Sequence, residues 1–257
     1  MSLETCARLV ELGDPDRFVA TMAAPASARA RLWPLYAFNL EIARAPYASP
    51  EPIVAEMRLQ WWADATTAMA SARGGSGDVA ATLAAVVTEA GLPADLLSAM
   101  VEARRWEVWT DPFPDRPAFD HHINATSGNL MWAAALALGA LPAAEPVVRD
   151  FAWGAGLANW LRAIPALVAR GRKPLVDQRP EAVRALAWEG LARIARARAH
   201  RPLLARSAIP ALWPGFAARA VLNMARADPA AVAQGRLTTS DLHRARALLL
   251  RAAVGYW

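Results

Sequence analysis

The sequence predicts an all-α, single-domain protein, and three observations carry that prediction. Apolar residues recur at helical rather than alternating spacing. Good helix formers (Ala, Leu, Met, Glu, Arg) fill the periodic segments. Prolines and glycines fall between those segments rather than within them. With 257 residues, 55% of them hydrophobic and 20% charged, the chain is long and apolar enough for one large core. Eleven tryptophans supply large side chains to fill it. No linker or internal repeat divides the chain, so residues 1–257 are read as one domain of about ten helices.

Taken in order, Asp14-Pro15 reads as a cap followed by a proline in the first turn, and Pro25 marks the next boundary. Residues 35–44 are helical, and Ser49-Pro50-Glu51-Pro52 then caps a helix over Ile53–Ala72. Arg73-Gly74-Gly75-Ser76-Gly77 is a flexible loop whose glycine spacing is wrong for cradling phosphate, with no Gly-Lys-Ser/Thr after it. A helix follows over Val79–Ala90, and Pro93 and Pro112–Pro117 punctuate the next segments. The longest apolar run, Leu130 to Ala144, contains Gly139 and Pro142 and falls short of the about 20 residues of a membrane span. Pro174/Pro180, Pro210/Pro214 and Asp228-Pro229 mark later boundaries, and Thr239-Ser240-Asp241 caps the last helix.

Charge and cysteine usage narrow the class. Net charge is +5, and Lys173 is the only lysine. Twelve arginines between Arg184 and Arg251 face only Glu189, Asp228 and Asp241. Such a basic half suits a negatively charged membrane surface, a diphosphate or an acidic partner, or simply a solvated helix face. Nucleic acid is not expected, because no zinc-finger spacing or RNA-binding motif accompanies the charge. The single cysteine, Cys6, rules out an intrachain disulfide and a cysteine-based zinc cluster. The N-terminus MSLETCARLVELG is acidic early and lacks a long apolar core, so it is not a secretory signal. The expected location is cytoplasmic, with attachment at the inner face of a membrane open to it.

Two segments carry a distinctive pattern. Leu35-Tyr36-Ala37-Phe38-Asn39-Leu40-Glu41-Ile42-Ala43-Arg44 precedes Met57-Arg58-Leu59-Gln60-Trp61-Trp62-Ala63-Asp64. Later, Gly154-Ala155-Gly156-Leu157-Ala158-Asn159-Trp160-Leu161-Arg162 precedes Gly171-Arg172-Lys173-Pro174-Leu175, and Asn124-Ala125-Thr126-Ser127-Gly128 lies between. In order and spacing these segments resemble the squalene/phytoene synthase family, most clearly over residues 14–200. The resemblance implies an isoprenoid-synthase-like helical bundle with a central cavity. It also implies two aspartate-rich helices that hold magnesium on prenyl diphosphates. Here those acids would fall at Ala43 and Tyr47, with Arg44 between, and at Ala163, Ala166 and Leu167. Glu41 sits two positions early, a rotation of about 200° on a helix. Residues 154–172 carry no carboxylate, and Pro165 is expected to kink their helix.

The closer likeness is to the branch that includes the mitochondrial complex I assembly factor with this fold, which implies a non-catalytic, peripheral membrane role. No catalytic residue, metal ligand or cofactor is expected. A prenyl or other lipid ligand, a membrane surface or a membrane-protein client is the implied partner. The alternatives are a lipid-binding carrier and a prenyl-diphosphate-using transferase. The transferase would use magnesium on substitute ligands such as Glu41, Asp64, Glu107 or Asp111. The resemblance places Tyr36, Asn39, Ala43, Tyr47, Trp61, Thr126, Asn159, Arg162, Ala163 and Arg172 at the cavity. Tyr47 and Leu167 are where packing would fill it.

Other residues carry weaker readings. Trp61 and Trp62 point about 100° apart, so one fills the core while the other lines a cavity or packs on a neighbour. Arg58 and Asp64 are structural or exposed. His121-His122 are adjacent and diverge, a poor two-ligand site. Asp120, His121 and Ser127 lack a Gly-x-Ser-x-Gly elbow. His200 and His243 stand alone. Gly128, Gly154 and Gly156 are read as permitting close helix packing.

Overall fold

Three helices whose side chains are buried nearly all round form the centre of the molecule. They are α3 (Ala26–Arg44), α8 (Asn129–Ala137) and α9 (Glu145–Ala169). In a computed structural model, which describes residues 3–70 and 77–257, all regular structure is helical among the described residues. A helix apolar on every face belongs inside a helical protein, and the remaining helices wrap these three with one face each. Of the predicted glycine loop, residues 73–76 lie outside the described residues.

The order begins with α1 (Leu3–Gly13) and α2 (Pro15–Met22), both packed on α3. Asp14 caps α2 as expected, its Oδ1 accepting from Arg17 N at 2.9 Å. Next come α4 (Pro52–Ala70), α5 (Asp78–Ala90) and α6 (Ala94–Arg105), with α4 lying along α6. Ser49 Oγ accepts from Glu51 N at 3.1 Å just before α4. A π-helical turn over Asn124–Gly128 joins α7 (Arg116–Ile123) to α8. The segment Asn124–Gly128 is thus a widened turn of one continuous helical run. Helix α9 packs on α10 (Pro180–Ala199), which packs on α11 (Ala218–Ala227). The short α12 (Ala230–Ala233) and α13 (Asp241–Val254) complete the chain. Asp228 Oδ1 accepts from Ala230 N at 3.1 Å ahead of α12. The described helices outnumber the ten expected, because short helices such as α2, α7 and α12 carry little periodic signal. Pro165 lies inside α9, which continues past it to Ala169 without the backbone bond that a residue with an N–H there would make to the Leu161 carbonyl.

Glycine decides how closely α9 approaches its neighbours. A Cβ on Gly154 would lie 2.6 Å from Ile194 Cγ1 and 2.8 Å from the Gly190 carbonyl oxygen. One on Gly156 would lie 2.5 Å from Ser127 Cβ in the π turn. Gly128 differs from expectation, because its nearest neighbour would be at 3.4 Å, an ordinary contact. Gly154→Ala is therefore expected to cost about 1–3 kcal/mol by forcing α9 off α10. Thermal unfolding checks this, and an unchanged midpoint would show that the interface can relax.

No helix among the described residues is long and apolar enough to cross a membrane.

Candidate ligand cavity

A cavity of about 570 Å³ opens between α3 and α9. One wall is α3, where Asn39 and Ala43 stand one turn apart, followed by Tyr47 in the 3-10 turn after the helix. The facing wall is α9, with Asn159, Arg162, Ala163, Ala166 and Leu167 on one stripe. The floor is the π turn, which presents Thr126 and Ser127. Asp14, Asp16 and Arg17 of α2, Arg170 beyond α9 and Arg244 of α13 form the rim.

Of the sequence-predicted residues, Asn39, Ala43, Tyr47, Thr126, Asn159, Arg162 and Ala163 are brought together on this one lining. Tyr36 lies deeper, on an extension of only about 30 Å³ shared with Arg17, Ser127 and Asn159. Its hydroxyl is buried without a hydrogen-bond partner among the described residues, and burial pushes its pKa well above the usual phenol value. Two assignments need correction. Trp61 is 43% exposed on the far side of α4, edge-on to buried Trp62 at 4.8 Å, beside Glu41 and Arg58 in a separate groove. Adjacent helix positions diverge, and Trp62 took the inward one. Arg172 lies behind the wall rather than on it. It is buried, donates to the carbonyl oxygens of Glu107 and Trp106, and sits over the Trp106 ring at 5.3 Å.

The sequence offered Glu107 only as a substitute metal ligand and missed its pairing with Arg104, which the end of α6 and the 3-10 turn after it (Trp106–Val108) bring to the lining. Glu107 is 3% exposed. Its Oε1 lies 2.5 Å from Arg104 Nη1, and its Oε2 accepts from the Tyr47 hydroxyl at 2.9 Å. Arg104 Nη2 also donates to Asn39 Oδ1, at 3.5 Å. Burial raises the Glu107 pKa, but Arg104, His122 and the hydrogen bonds outweigh it and hold the group below the usual carboxylate range. Burial and Glu107 together push the Tyr47 hydroxyl well above its ordinary value. His122 Nε2 lies 3.5 Å from Glu107 Oε1, inside a ring of Trp106, Phe113 and Trp160. Burial drives its pKa down to about 4, so the imidazole is neutral. His121 is exposed, and the two histidines form no joint site. Asp120 is held by Arg116 at 2.9 Å, which takes it out of any triad. His200 is exposed beside the Arg196 carbonyl, and the side chain of His243 lies outside the described residues.

Among the described residues, the lining carries five arginines against three carboxylates. Every one of those carboxylates is committed: Asp14 to Arg17, Asp16 to Arg162 and Arg244, and Glu107 to Arg104. Arg170 lies over the Tyr47 ring at 4.3 Å. Magnesium asks for several oxygen ligands at once. The residues here do not fit it, because Ala43, Tyr47, Ala163, Ala166 and Leu167 offer no carboxylate. Among the described residues no group of three His, Cys, Asp or Glu side chains is placed to hold a metal ion. Of Glu41, Asp64, Glu107 and Asp111, Glu107 alone lines the cavity. Leu167 and Tyr47 both reach the lining, yet the cavity stays open.

Comparison with known proteins places this geometry. No curated protein matches the chain by sequence. A dehydrosqualene synthase solved in complex with ligand superposes with a TM-score of 0.82 at 13% identity, over 98% of this chain and 95% of that one. The squalene synthase HpnC from Alicyclobacillus acidocaldarius superposes with a TM-score of 0.75 at 15% identity, over 91% of this chain and 94% of that one. At such identities these likenesses establish the isoprenoid-synthase-like fold. Residues 10–178 match the family described as squalene/phytoene synthase. With well over half of its length matched, and with its cavity between the two helices that carry the motif positions, the chain belongs to the squalene/phytoene synthase family.

Proposed function

We propose that this chain holds a single prenyl-type or other lipid ligand with an anionic head, and does not carry out magnesium-assisted condensation. The observation that carries this reading is the charge of the lining, which has surplus arginine and no carboxylate without a cationic partner. Direct arginine contacts suit an oxyanion head. A volume of about 570 Å³ lies within the about 300–1,000 Å³ of ordinary ligand pockets. The narrow extension beside Tyr36 argues against a second long tail.

The rival reading is a prenyl-diphosphate-using transferase with substituted metal ligands. Both structural neighbours are synthases by name, which favours it. The donor set opposes it, because Glu107 is already bound by Arg104 and Tyr47. Incubation with farnesyl or geranylgeranyl diphosphate, with and without magnesium, separates the two. The expected result is ligand binding with neither diphosphate release nor condensed product. Magnesium-dependent product would establish the transferase.

Within the non-catalytic reading, a divergent branch of the family acting at a membrane surface, in the assembly of respiratory complex I, is the specific role proposed from the sequence resemblance. The exposed Ile53, Met57 and Trp61, spaced four residues apart on α4, would suit a membrane or membrane-protein contact. Unchanged complex I assembly after loss of the gene would exclude that role and leave the lipid carrier.

A further inference from the structure

Four arginines gather where the C-terminal end of α10 meets α11 and α13, and among the described residues none of them makes an ion pair. Arg198, in the last turn of α10, stands 5.1 Å from the centroid of the Tyr256 ring. Arg201, in the 3-10 turn that follows (Arg201–Leu203), stands 4.7 Å from it. Arg251 of α13 donates through Nη1 to the Ala247 carbonyl at 2.8 Å and through Nη2 to the Phe216 carbonyl at 3.3 Å. Arg219 is the fourth. It lies in the first turn of α11, which no described side chain caps, and there a cation meets the positive end of the helix dipole. The Nε atoms of Arg198 and Arg251 are buried with no partner among the described residues. Burial holds both guanidiniums below the usual arginine value. Arg219 and Arg201 add to this at Arg198, as do Arg198 and Arg219 at Arg251, and the opposing effect of Tyr256 is outweighed. Earlier in α10 the pattern is different, because Arg193 binds Glu189 and Arg196 binds Asp150. A cation complements the C-terminus of its own helix, which accounts for Arg198 and Arg251 singly. It does not account for Arg219 or for the gathering of all four.

Beside this cluster lies a groove of about 610 Å³. Among the described residues it shares no lining with the cavity between α3 and α9. Its wall is apolar, with Ile209, Pro210 and Trp213 from the 3-10 segment Arg206–Gly215 and Trp257 beyond α13. Arg201 and Arg206 line it too, so Arg201 belongs to both groove and cluster. Gly255 and Trp257, on either side of Tyr256 in the chain, are on the same lining, and Trp213 Nε1 donates to the Tyr256 carbonyl at 3.1 Å. We infer that cluster and groove form a second ligand site, which takes a phosphate-bearing amphiphile as a single molecule, its oxyanion on the arginines and its apolar body along the groove. Guanidinium forks match phosphate oxygens, and an anion set among like charges removes their mutual repulsion. Trp213 and Trp257 are buried, so the apolar wall receives a molecule rather than entering a bilayer. The site goes beyond the proposed function and does not depend on what fills the larger cavity.

The test is calorimetric titration of the full chain with three probes. They are monomeric dihexanoyl phosphatidic acid, inorganic phosphate, and phosphatidylcholine vesicles with and without phosphatidic acid. The monomer is expected to bind at least about tenfold tighter than inorganic phosphate, the worth of about two methylene groups taken from water. Arg201→Gln and Arg219→Gln should each weaken the monomer about tenfold, the loss of one contact to a charged group. Arg184→Gln removes the same net charge near the opposite end of α10, where Arg184 bonds the Arg226 carbonyl, and should leave binding unchanged. Without ligand, Arg219→Gln should melt no lower than the parent, because it relieves repulsion, so its weaker binding cannot be mistaken for misfolding. Equal affinity for inorganic phosphate and the monomer would take the groove out of the site and overturn the inference. Vesicle binding without monomer binding, or equal losses in Arg184→Gln and Arg201→Gln, would overturn it as well. Monomer affinity that both Arg201→Gln and Arg219→Gln leave unchanged would place the ligand in the larger cavity, overturning this site while leaving the proposed function in place.

Discussion

Replacing Glu107 with alanine is expected to destabilise the protein by about 3–5 kcal/mol, the cost of breaking one partner out of a buried ion pair. The side chain is almost fully buried under the cavity floor, with Arg104 at 2.5 Å and the Tyr47 hydroxyl at 2.9 Å. Its loss leaves the Arg104 guanidinium with only the long contact to Asn39 and strips Tyr47 of its acceptor. Glu107→Gln keeps the shape and an acceptor oxygen for Tyr47, so it should fall between alanine and the parent. Denaturant midpoints at unchanged slope measure both. An alanine variant within about 1 kcal/mol of the parent would mean that Arg104 finds water, and that the network is less closed than its burial implies.

The same cluster sets a pH dependence whose direction follows from the two shifts. The Glu107 pKa is lowered in the folded state, so its stabilisation is fully present above the unfolded carboxyl value of about 4.3. It is lost as the pH falls through the lower folded value. The His122 pKa falls from 6.5 to about 4, chiefly by burial. The unfolded chain therefore binds the extra proton between those values, and stability drops as the pH falls from 6.5 toward 4. Glu107→Ala should abolish the first contribution and retain the second.

Trp153→Ala is the other large effect expected, about 3–5 kcal/mol. The indole is completely buried on α9 and lies beneath two arginines from different helices. Arg193 of α10 stands 4.1 Å from its ring centroid and Arg116 of α7 stands 5.6 Å away, and Glu189 binds both guanidiniums. The ring is thus the base of a charged bridge that holds α7 and α10 against α9. Alanine opens a cavity and removes the surface on which the bridge rests. Trp153→Phe should cost only about 1 kcal/mol, because it keeps an aromatic face and deletes an indole N–H that has no partner. Equal damage from phenylalanine and alanine in thermal unfolding would contradict this account.

These effects arise where contacts are long-range, which is also where sequence reasoning was weakest. Asn39, Ala43 and Tyr47 were placed at the cavity by the family resemblance, and their spacing is that of successive helical turns. Asn159, Arg162 and Ala163 came to the other wall by the same resemblance, with spacing that puts them on one face of their helix. Trp61 was misplaced because a Trp-Trp pair offers two faces about 100° apart, and nothing local says which one turns inward. Arg172 was misplaced because its partners, the carbonyl oxygens of Trp106 and Glu107, come from a segment about 65 residues away. The pairing of Asp16 with Arg162 and Arg244 spans 146 and 228 residues and leaves no mark on either neighbourhood.

By itself, then, the sequence determined the all-α class and the capped start of α2, and through its resemblance to known proteins the family and the want of carboxylates at five wall positions. All of these are written in residue type and short spacing, because a helix repeats every few residues and its face is set locally. The tertiary structure alone decided that the cavity stays open, that Glu107 is locked beneath it, and that its mouth is a ring of arginines closed on Asp16. Those outcomes depend on which helices meet and how closely, and that is settled by packing around Gly154 and Gly156 and by charges that find one another only after the chain has folded.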